Sequence, residues 1–238
     1  MKNYLYAAIV ILSAQFILFA CGSSQSEKGF ITLFDGTDIS AWTTETGDWR
    51  IEDGILVLKT NDEHLMVNSS YLWTKEIYGD FVLELDFKIP DEPLYGIEKF
   101  GGVGKSGNSG VFIRVENPAD PVQTGIEIQV GTIKQGDELR RGSVGGIFDL
   151  VPPAVNMYKP GEWNHYRITC KGSQITVELN GTETASADLT NWLTERMNPD
   201  GSPNKFKRPL KDFAQSGHIG LQDHGTPAFY RDIRIKKL

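Results

Sequence analysis

The sequence predicts an all-β protein, two antiparallel sheets packed as a sandwich or jelly roll. Three observations carry this. Apolar and polar residues alternate with period two in run after run, the pattern of strands with one face in a core. Glycine is abundant, 25 of 238 residues, and turn signals such as Asn180-Gly181 punctuate the runs. No alternation of strands with amphipathic helices is visible, so a parallel α/β sheet is not expected.

Taken in chain order, Ile51, Ile55 and Val57 flank the turn Glu52-Asp53-Gly54. Phe81, Leu83, Leu85, Phe87 and Ile89 alternate with Val82, Glu84, Asp86 and Lys88. Val111, Ile113 and Val115 alternate with Phe112, Arg114 and Glu116, and Ile126, Ile128 and Val130 with Glu127 and Gln129. Tyr166, Ile168 and Cys170 share an apolar phase, and Ile175, Val177 and Leu179 lead into Asn180-Gly181. Ile219 and Leu221, then Ile233 and Ile235, close the set. Trp42, Trp49 and Trp163 stand beside strand starts and are expected in the core. Two stretches break the rhythm and are read as walls of a site, because long loops in compact domains commonly serve function. One is the glycine-rich loop 90–108. The other is segment 186–216, with a short helix expected over Leu189 to Met197. Gly104-Lys105-Ser106 in the first loop is not a phosphate-binding loop, since Lys99 stands where the leading glycine is needed.

The first thirty residues carry a different message. Lys2, an apolar run from Tyr4 to Ala20 and then Cys21 match an export signal. Leu18-Phe19-Ala20-Cys21 fits cleavage before a lipid-bearing cysteine. Residues 1–20 are therefore expected to be the signal, 21–29 a tether, and 30–238 a single domain. Ser13 and Gln15 interrupt a run close to the ~18-residue minimum for a span, which argues against a plain transmembrane anchor. Acyl chains on Cys21, each gaining ~0.8 kcal/mol per buried methylene, would hold the domain at a membrane of the cell envelope. The face of that membrane and the oligomeric state are not readable.

The net charge is −7, and loss of Lys2 with the signal makes it −8 (−7 − 1), which argues against nucleic acid as a partner. With Cys21 lipidated, Cys170 has no partner for a disulfide and is expected to be a buried, inert thiol.

Alternation also sorts the polar residues. If Val111, Ile113, Ile126 and Ile128 face the core, then Arg114, Glu127 and Gln129 face outward together. Carboxylate, amide and guanidinium on neighbouring strands suit the hydroxyls of a carbohydrate. Near the C-terminus His218, Gly220 and Gln222 share a face, and His224 follows on a glycine-flanked loop. An imidazole there suits proton transfer. Adjacent residues on a strand rarely converge on one ion, so neither metal nor other cofactor is expected.

An ordered set of motifs runs through the chain. It comprises Leu33-Phe34-Asp35-Gly36, Trp42, Trp49, Asp53-Gly54, Asp80-Phe81, Asn108-Ser109-Gly110-Val111-Phe112-Ile113-Arg114, Glu127-Ile128-Gln129, Trp163-Asn164, Asn180-Gly181, Gly220-Leu221-Gln222-Asp223-His224-Gly225 and Tyr230-Arg231 through Ile235. Together these resemble the 3-keto-disaccharide hydrolase domain family, over about Phe30 to Leu238. The resemblance implies a concanavalin A-like jelly roll and action on 3-keto-glycosides. Two features depart from the family: Val130-Gly131-Thr132 follows the Glu-x-Gln strand, and the 90–107 loop is long.

The residues are compatible with that chemistry. Ordinary glycosidases use two carboxylates roughly 5–10 Å apart. Here the strand reads Glu127-x-Gln129-x-x-Thr132, without the second acid that laminarinase-like jelly rolls carry. A 3-keto sugar does not need the pair: its ketone acidifies the proton on C2, and one base can start elimination of the group on C1. Glu127 is expected as the base, His224 as the proton donor and Arg114 as the cation for the enolate oxygen. Asn108, Gln129 and Gln222 would orient hydroxyls and Trp192 would stack on a sugar ring. The alternative is a carbohydrate-binding lipoprotein using the same concave face without turnover. If Glu127 is not the base, Glu84, Asp86 and Asp149 come next.

Overall fold

The computed structural model describes residues 28–44, 49–58, 71–90 and 107–238. The expected export signal, Cys21, most of the tether and loop residues 91–106, Gly104-Lys105-Ser106 among them, lie outside the described residues.

Thirteen strands are described. They are β1 (Ile31–Phe34), β2 (Trp42–Thr44), β3 (Trp49–Glu52), β4 (Ile55–Leu58), β5 (Leu72–Thr74), β6 (Phe81–Lys88), β7 (Asn108–Val115), β8 (Ile126–Gly131), β9 (Asn164–Lys171), β10 (Gln174–Leu179), β11 (Thr182–Asp188), β12 (His218–Leu221) and β13 (Ala228–Lys237). Eight of them form sheet A in the order β11-β10-β9-β6-β13-β4-β3, with β1 alongside β13. Sheet B has the order β2-β5-β12-β7-β8. Every pairing is antiparallel. Alongside consecutive hairpin pairs, sequence-distant strands lie side by side in both sheets (β9-β6-β13-β4 and β5-β12-β7), as a jelly roll requires. Helix among the described residues is limited to α1 (Pro121–Thr124) and two 3-10 turns, Leu189–Asn191 and Leu210–Asp212. The helix expected over Leu189 to Met197 therefore stops after three residues.

The alternation read from the sequence has a physical counterpart in one core. Phe81, Leu83, Leu85 and Phe87 of β6 face Val111, Ile113, Ile126 and Ile128 of sheet B through a continuous apolar cluster. Their neighbours Glu84, Asp86 and Lys88 point out of sheet A. Trp42 and Trp49 are buried as expected; Trp163 is half-buried, with Arg231 4.2 Å and Lys88 5.3 Å from its ring centroid. Cys170 is a buried free thiol, and burial pushes its pKa up to about 12.

Of the four register slips among the described strands, two decide which side chains face outward near the sheet centres. In β13 the register slips between Arg231 and Arg234, Asp232 takes φ 52°, and both Tyr230 and Ile233 thereby face the core. In β7 the register slips against β12 between His218 and Gly220, and Arg114 takes φ 51°. The second bulge overturns part of the sequence reading. Val115 moves to the outer face, against Trp73 and Phe112, and Arg114 moves off it.

Candidate functional site

The outer face of sheet B is built from two neighbouring rows of side chains. In the first, Trp73 on β5, Gly220 on β12, Phe112 on β7 and Glu127 on β8 are register partners across four strands. In the second, Gly110 pairs with Gln129, and the Gln222 N–H donates to the Gly110 carbonyl at 2.9 Å. Asn108 follows one step on, its Oδ1 accepting from Gln129 Nε2 at 2.8 Å.

Two glycines give this face its relief. A Cβ at Gly220 would run into the indole of Trp73, so the ring lies flat over the strand. A Cβ at Gly110 would lie 2.7 Å from Glu127 Oε1, so the carboxylate leans across Gly110 between the two glutamines. Tyr71 stacks on Trp73 with centroids 4.8 Å apart, and Phe112 meets both edge-on, at 5.3 Å from Tyr71 and 6.4 Å from Trp73. These aromatic side chains and Val115 form an apolar patch separate from the main core.

Glu127 is almost wholly buried, at 5% exposure. Its backbone is fixed on both sides: β7 pairs with one edge, and the Phe148 N–H donates to its carbonyl at 2.8 Å on the other. Oε2 accepts from Lys205 Nζ at 3.3 Å. That ammonium also sits 4.5 Å from the Phe148 ring centroid and 5.4 Å from that of Phe206. Burial pushes the Glu127 carboxyl above the usual carboxylate range. Lys205 and then His224 pull it part of the way back, and the Asp149 charge pushes it up again. Asp149 takes φ 66° and accepts the Lys205 backbone N–H on Oδ2 at 2.5 Å.

Lys205 arrives on segment 186–216, the second of the two expected walls. That segment is anchored by Trp192, Phe206, Leu210 and Phe213 in the core and by Asn198, whose amide nitrogen donates to Ser202, Pro203 and Asp149 oxygens. Trp192 is thus not a stacking platform. It is 6% exposed, and its Nε1 donates to Asn198 Oδ1 at 2.8 Å.

Arg114 is the second correction. Its Nε donates to Gly79 O at 3.0 Å, one terminal nitrogen to Gly172 O at 2.6 Å and the other to Asp80 at 3.0 Å. The bulge turns it away from the Glu127 face, and its guanidinium ties β7 to the ends of sheet A. Glu84 and Asp86 are also elsewhere, on the outer face of sheet A. His224 is exposed on the loop after β12, close enough for its charge to act on Glu127. His218 is half-buried, its Nδ1 2.7 Å from the Thr74 carbonyl oxygen. Among the described residues no group of three or more His, Cys, Asp and Glu is arranged to hold a metal ion.

Sequence reading missed Lys205, Tyr71 and Trp73. Lys205 stands among Lys207, Arg208 and Lys211 in a segment with no period, so nothing in its local pattern singled it out. Trp73 alternates with the buried Leu72 and could have been placed by period two, had the short strand β5 been recognised.

The model of a family described as the 3-keto-alpha-glucoside-1,2-lyase-like domain matches residues 29–236. A relative from Bacteroides thetaiotaomicron called 3-keto-disaccharide hydrolase is 25% identical over 244 residues, covering 88% of this chain and 79% of that protein. A candidate glycosyl hydrolase of known structure from Parabacteroides distasonis is 30% identical with a TM-score of 0.70, covering 88% of this chain and 99% of that one. A second from the same species, 22% identical with a TM-score of 0.64 and coverages of 88% and 94%, shares the fold.

Proposed function

The chain belongs to the family of 3-keto-alpha-glucoside-1,2-lyase-like domains, and from that premise we propose that it cleaves the glycosidic bond of 3-keto-glycosides by elimination across C1 and C2 followed by hydration. Glu127 takes the proton from C2. The electron pair of that C–H bond is delocalised onto the ketone oxygen as an enolate, then expels the oxygen on C1, which takes a proton from His224. Water then adds across the new double bond, hydroxide to C1 and a proton to C2, so the net result is hydrolysis.

The observation that carries the reading is the state of Glu127. A carboxylate held above its ordinary pKa by burial is a stronger base than one in water. It stands beside Gln129, where a paired-acid glycosidase strand would place a second acid. Lys205 takes the role first given to Arg114. Its ammonium, already at Glu127 Oε2, stands beside the C2 proton's acceptor and can steady the neighbouring enolate oxygen. Tyr71, with Trp73 beneath it, offers an apolar ring surface on the same face.

The test is incubation of the domain with 3-keto-trehalose and with unoxidised trehalose, following free glucose. Glucose from the first alone is expected, with turnover falling roughly a hundredfold or more in Glu127→Gln, the scale of a lost general base. Equal cleavage of trehalose, or full activity in that variant, would overturn the reading.

An envelope location belongs to the same proposal, supported by the Leu18-Phe19-Ala20-Cys21 run. Cys21→Ser should move the protein from the membrane pellet to the soluble fraction on an immunoblot; an unchanged pellet fraction would remove the anchor.

A further inference from the structure

Gln129 and Gln222 share an oddity. Each is 6% exposed, and each has a side-chain oxygen, Oε1, that is buried and, among the described residues, without a hydrogen-bond donor. The nitrogens are engaged: Gln129 Nε2 donates to Asn108 Oδ1 at 2.8 Å and to the Val130 carbonyl at 3.2 Å, and Gln222 Nε2 to the Tyr71 hydroxyl at 3.3 Å. The Val130 carbonyl can only accept, which fixes which end of the Gln129 amide is which. Both backbones are pinned as well. Tyr166 and Ser109 hydroxyls donate to the Gln129 and Gln222 carbonyls at 2.5 and 2.6 Å.

A buried acceptor without a donor is costly, and folded proteins leave few. Two of them in one row, on either side of Gly110 and of the carboxylate leaning over it, make a face with two unmet acceptors among the described residues. The cationic donors of the site are Lys205, at Glu127 Oε2, and His224, whose charge also acts on Glu127. We propose that this polarity fixes how the sugar sits: non-reacting hydroxyls of the oxidised ring donate to Gln129 Oε1 and Gln222 Oε1, and the ketone oxygen, which can only accept, faces Lys205. The inference rests on the reading of Glu127 as base and adds to it a rule of specificity. Ring positions over the glutamines must carry a donor; an acceptor of the same size is refused.

The rule separates fluorine from hydroxyl, which are similar in size but opposite in donor capacity. The probes are p-nitrophenyl 3-keto-α-glucoside and its 4-deoxy-4-fluoro and 6-deoxy-6-fluoro analogues, with nitrophenol release as the readout. At least one analogue should lose tenfold or more in kcat/KM on the wild-type domain. That penalty should shrink to threefold or less in Gln129→Leu or Gln222→Leu, because the orphan acceptor has gone. Wild-type values within twofold for both analogues overturn the inference, and so does a penalty that persists in both variants. Should a leucine variant not fold, Gln129→Met and Gln222→Met take its place, and the wild-type panel alone still decides the first outcome. Glu127→Gln runs beside them: inactive there with indifferent analogues, the base stands and the polarity rule falls; active there, the base itself falls.

Discussion

The outer faces of the two sheets start from the same sequence pattern and end in opposite chemistry. On sheet A, Glu84 is met by both Arg167 and Arg234, and Asp86 by His165 at 2.8 Å and Arg231 at 3.1 Å. Burial would raise the Asp86 pKa, but its bonds to His165 and Arg231 outweigh burial and hold it below the usual range. On sheet B, Glu127 has, among the described residues, one hydrogen-bonded cation, a raised pKa and two unsatisfied amide oxygens on nearby residues. Alternation says that a side chain points outward; only its partners say whether it is finished. A carboxylate closed by two cations is structure, whereas one left partly open beside orphan acceptors has capacity for a ligand.

The sharpest way to break this comparison is to neutralise one acid on each sheet. Glu127→Gln should cut turnover of a 3-keto-glycoside roughly a hundredfold while leaving the urea midpoint unchanged or raised. Glu84→Gln should leave turnover within about threefold and lower stability by about 1 kcal/mol, as Arg167 and Arg234 lose a charged partner. The reverse pattern would put the chemistry on sheet A.

Arg114 tests the same boundary from inside. Arg114→Ala removes the guanidinium donor from the Gly79 and Gly172 carbonyls and leaves Asp80, among the described residues, only the Gly172 N–H, at a cost of about 2–3 kcal/mol by urea unfolding. The folded variant should keep kcat within about threefold. A loss of a hundredfold in kcat with unchanged stability would return Arg114 to the catalytic set.

Gly110→Ala probes the floor of the site. The added methyl would stand 2.7 Å from Glu127 Oε1 and 2.9 Å from its Cγ, so the carboxylate must shift. A displacement of that size should cost roughly tenfold in kcat, since misplacement by about 1 Å can cost up to a hundredfold. An unaffected kcat would mean that the Glu127 side chain reacts from another position.

The smallest effect is a pair of opposite pH slopes. Glu127 has a folded pKa above its unfolded value, so the folded state holds the extra proton. Its contribution to stability is full below about 4.5 and falls as pH rises through the folded pKa. Asp86 runs the other way. Its contribution is present above the ordinary aspartate value of 3.8 and lost as pH falls through the lowered pKa. Midpoints of Glu127→Gln and Asp86→Asn against pH, each relative to wild type, should therefore diverge with opposite signs. Parallel curves would erase the distinction.

Much of the fold was legible because period two follows from strand geometry alone: β6, β8, β9 and β10 bury the residues that alternation assigned to them. What escaped was set by events that leave no periodic trace. The bulge at Arg114 is one inserted residue in a strand of otherwise regular pattern, and it moves two side chains to opposite faces. Lys205 reaches Glu127 only because Trp192 and Phe206 anchor an irregular segment in the core, a contact between residues 78 apart in sequence. Glu127, Gln129 and Gln222 could be placed on the outer face from phase and strand alone; the partners that distinguish them could not.

Whether Glu127 removes a proton from C2 is read by running the reaction on 3-keto-trehalose in heavy water and following C2 of the released 3-keto-glucose by NMR, within a time at which the sugar alone exchanges little. Elimination and hydration should place deuterium on C2 in the wild-type reaction, and Glu127→Gln should slow its appearance together with glucose release. Glucose released with only protium at C2 would contradict the account and leave direct displacement at C1 in its place.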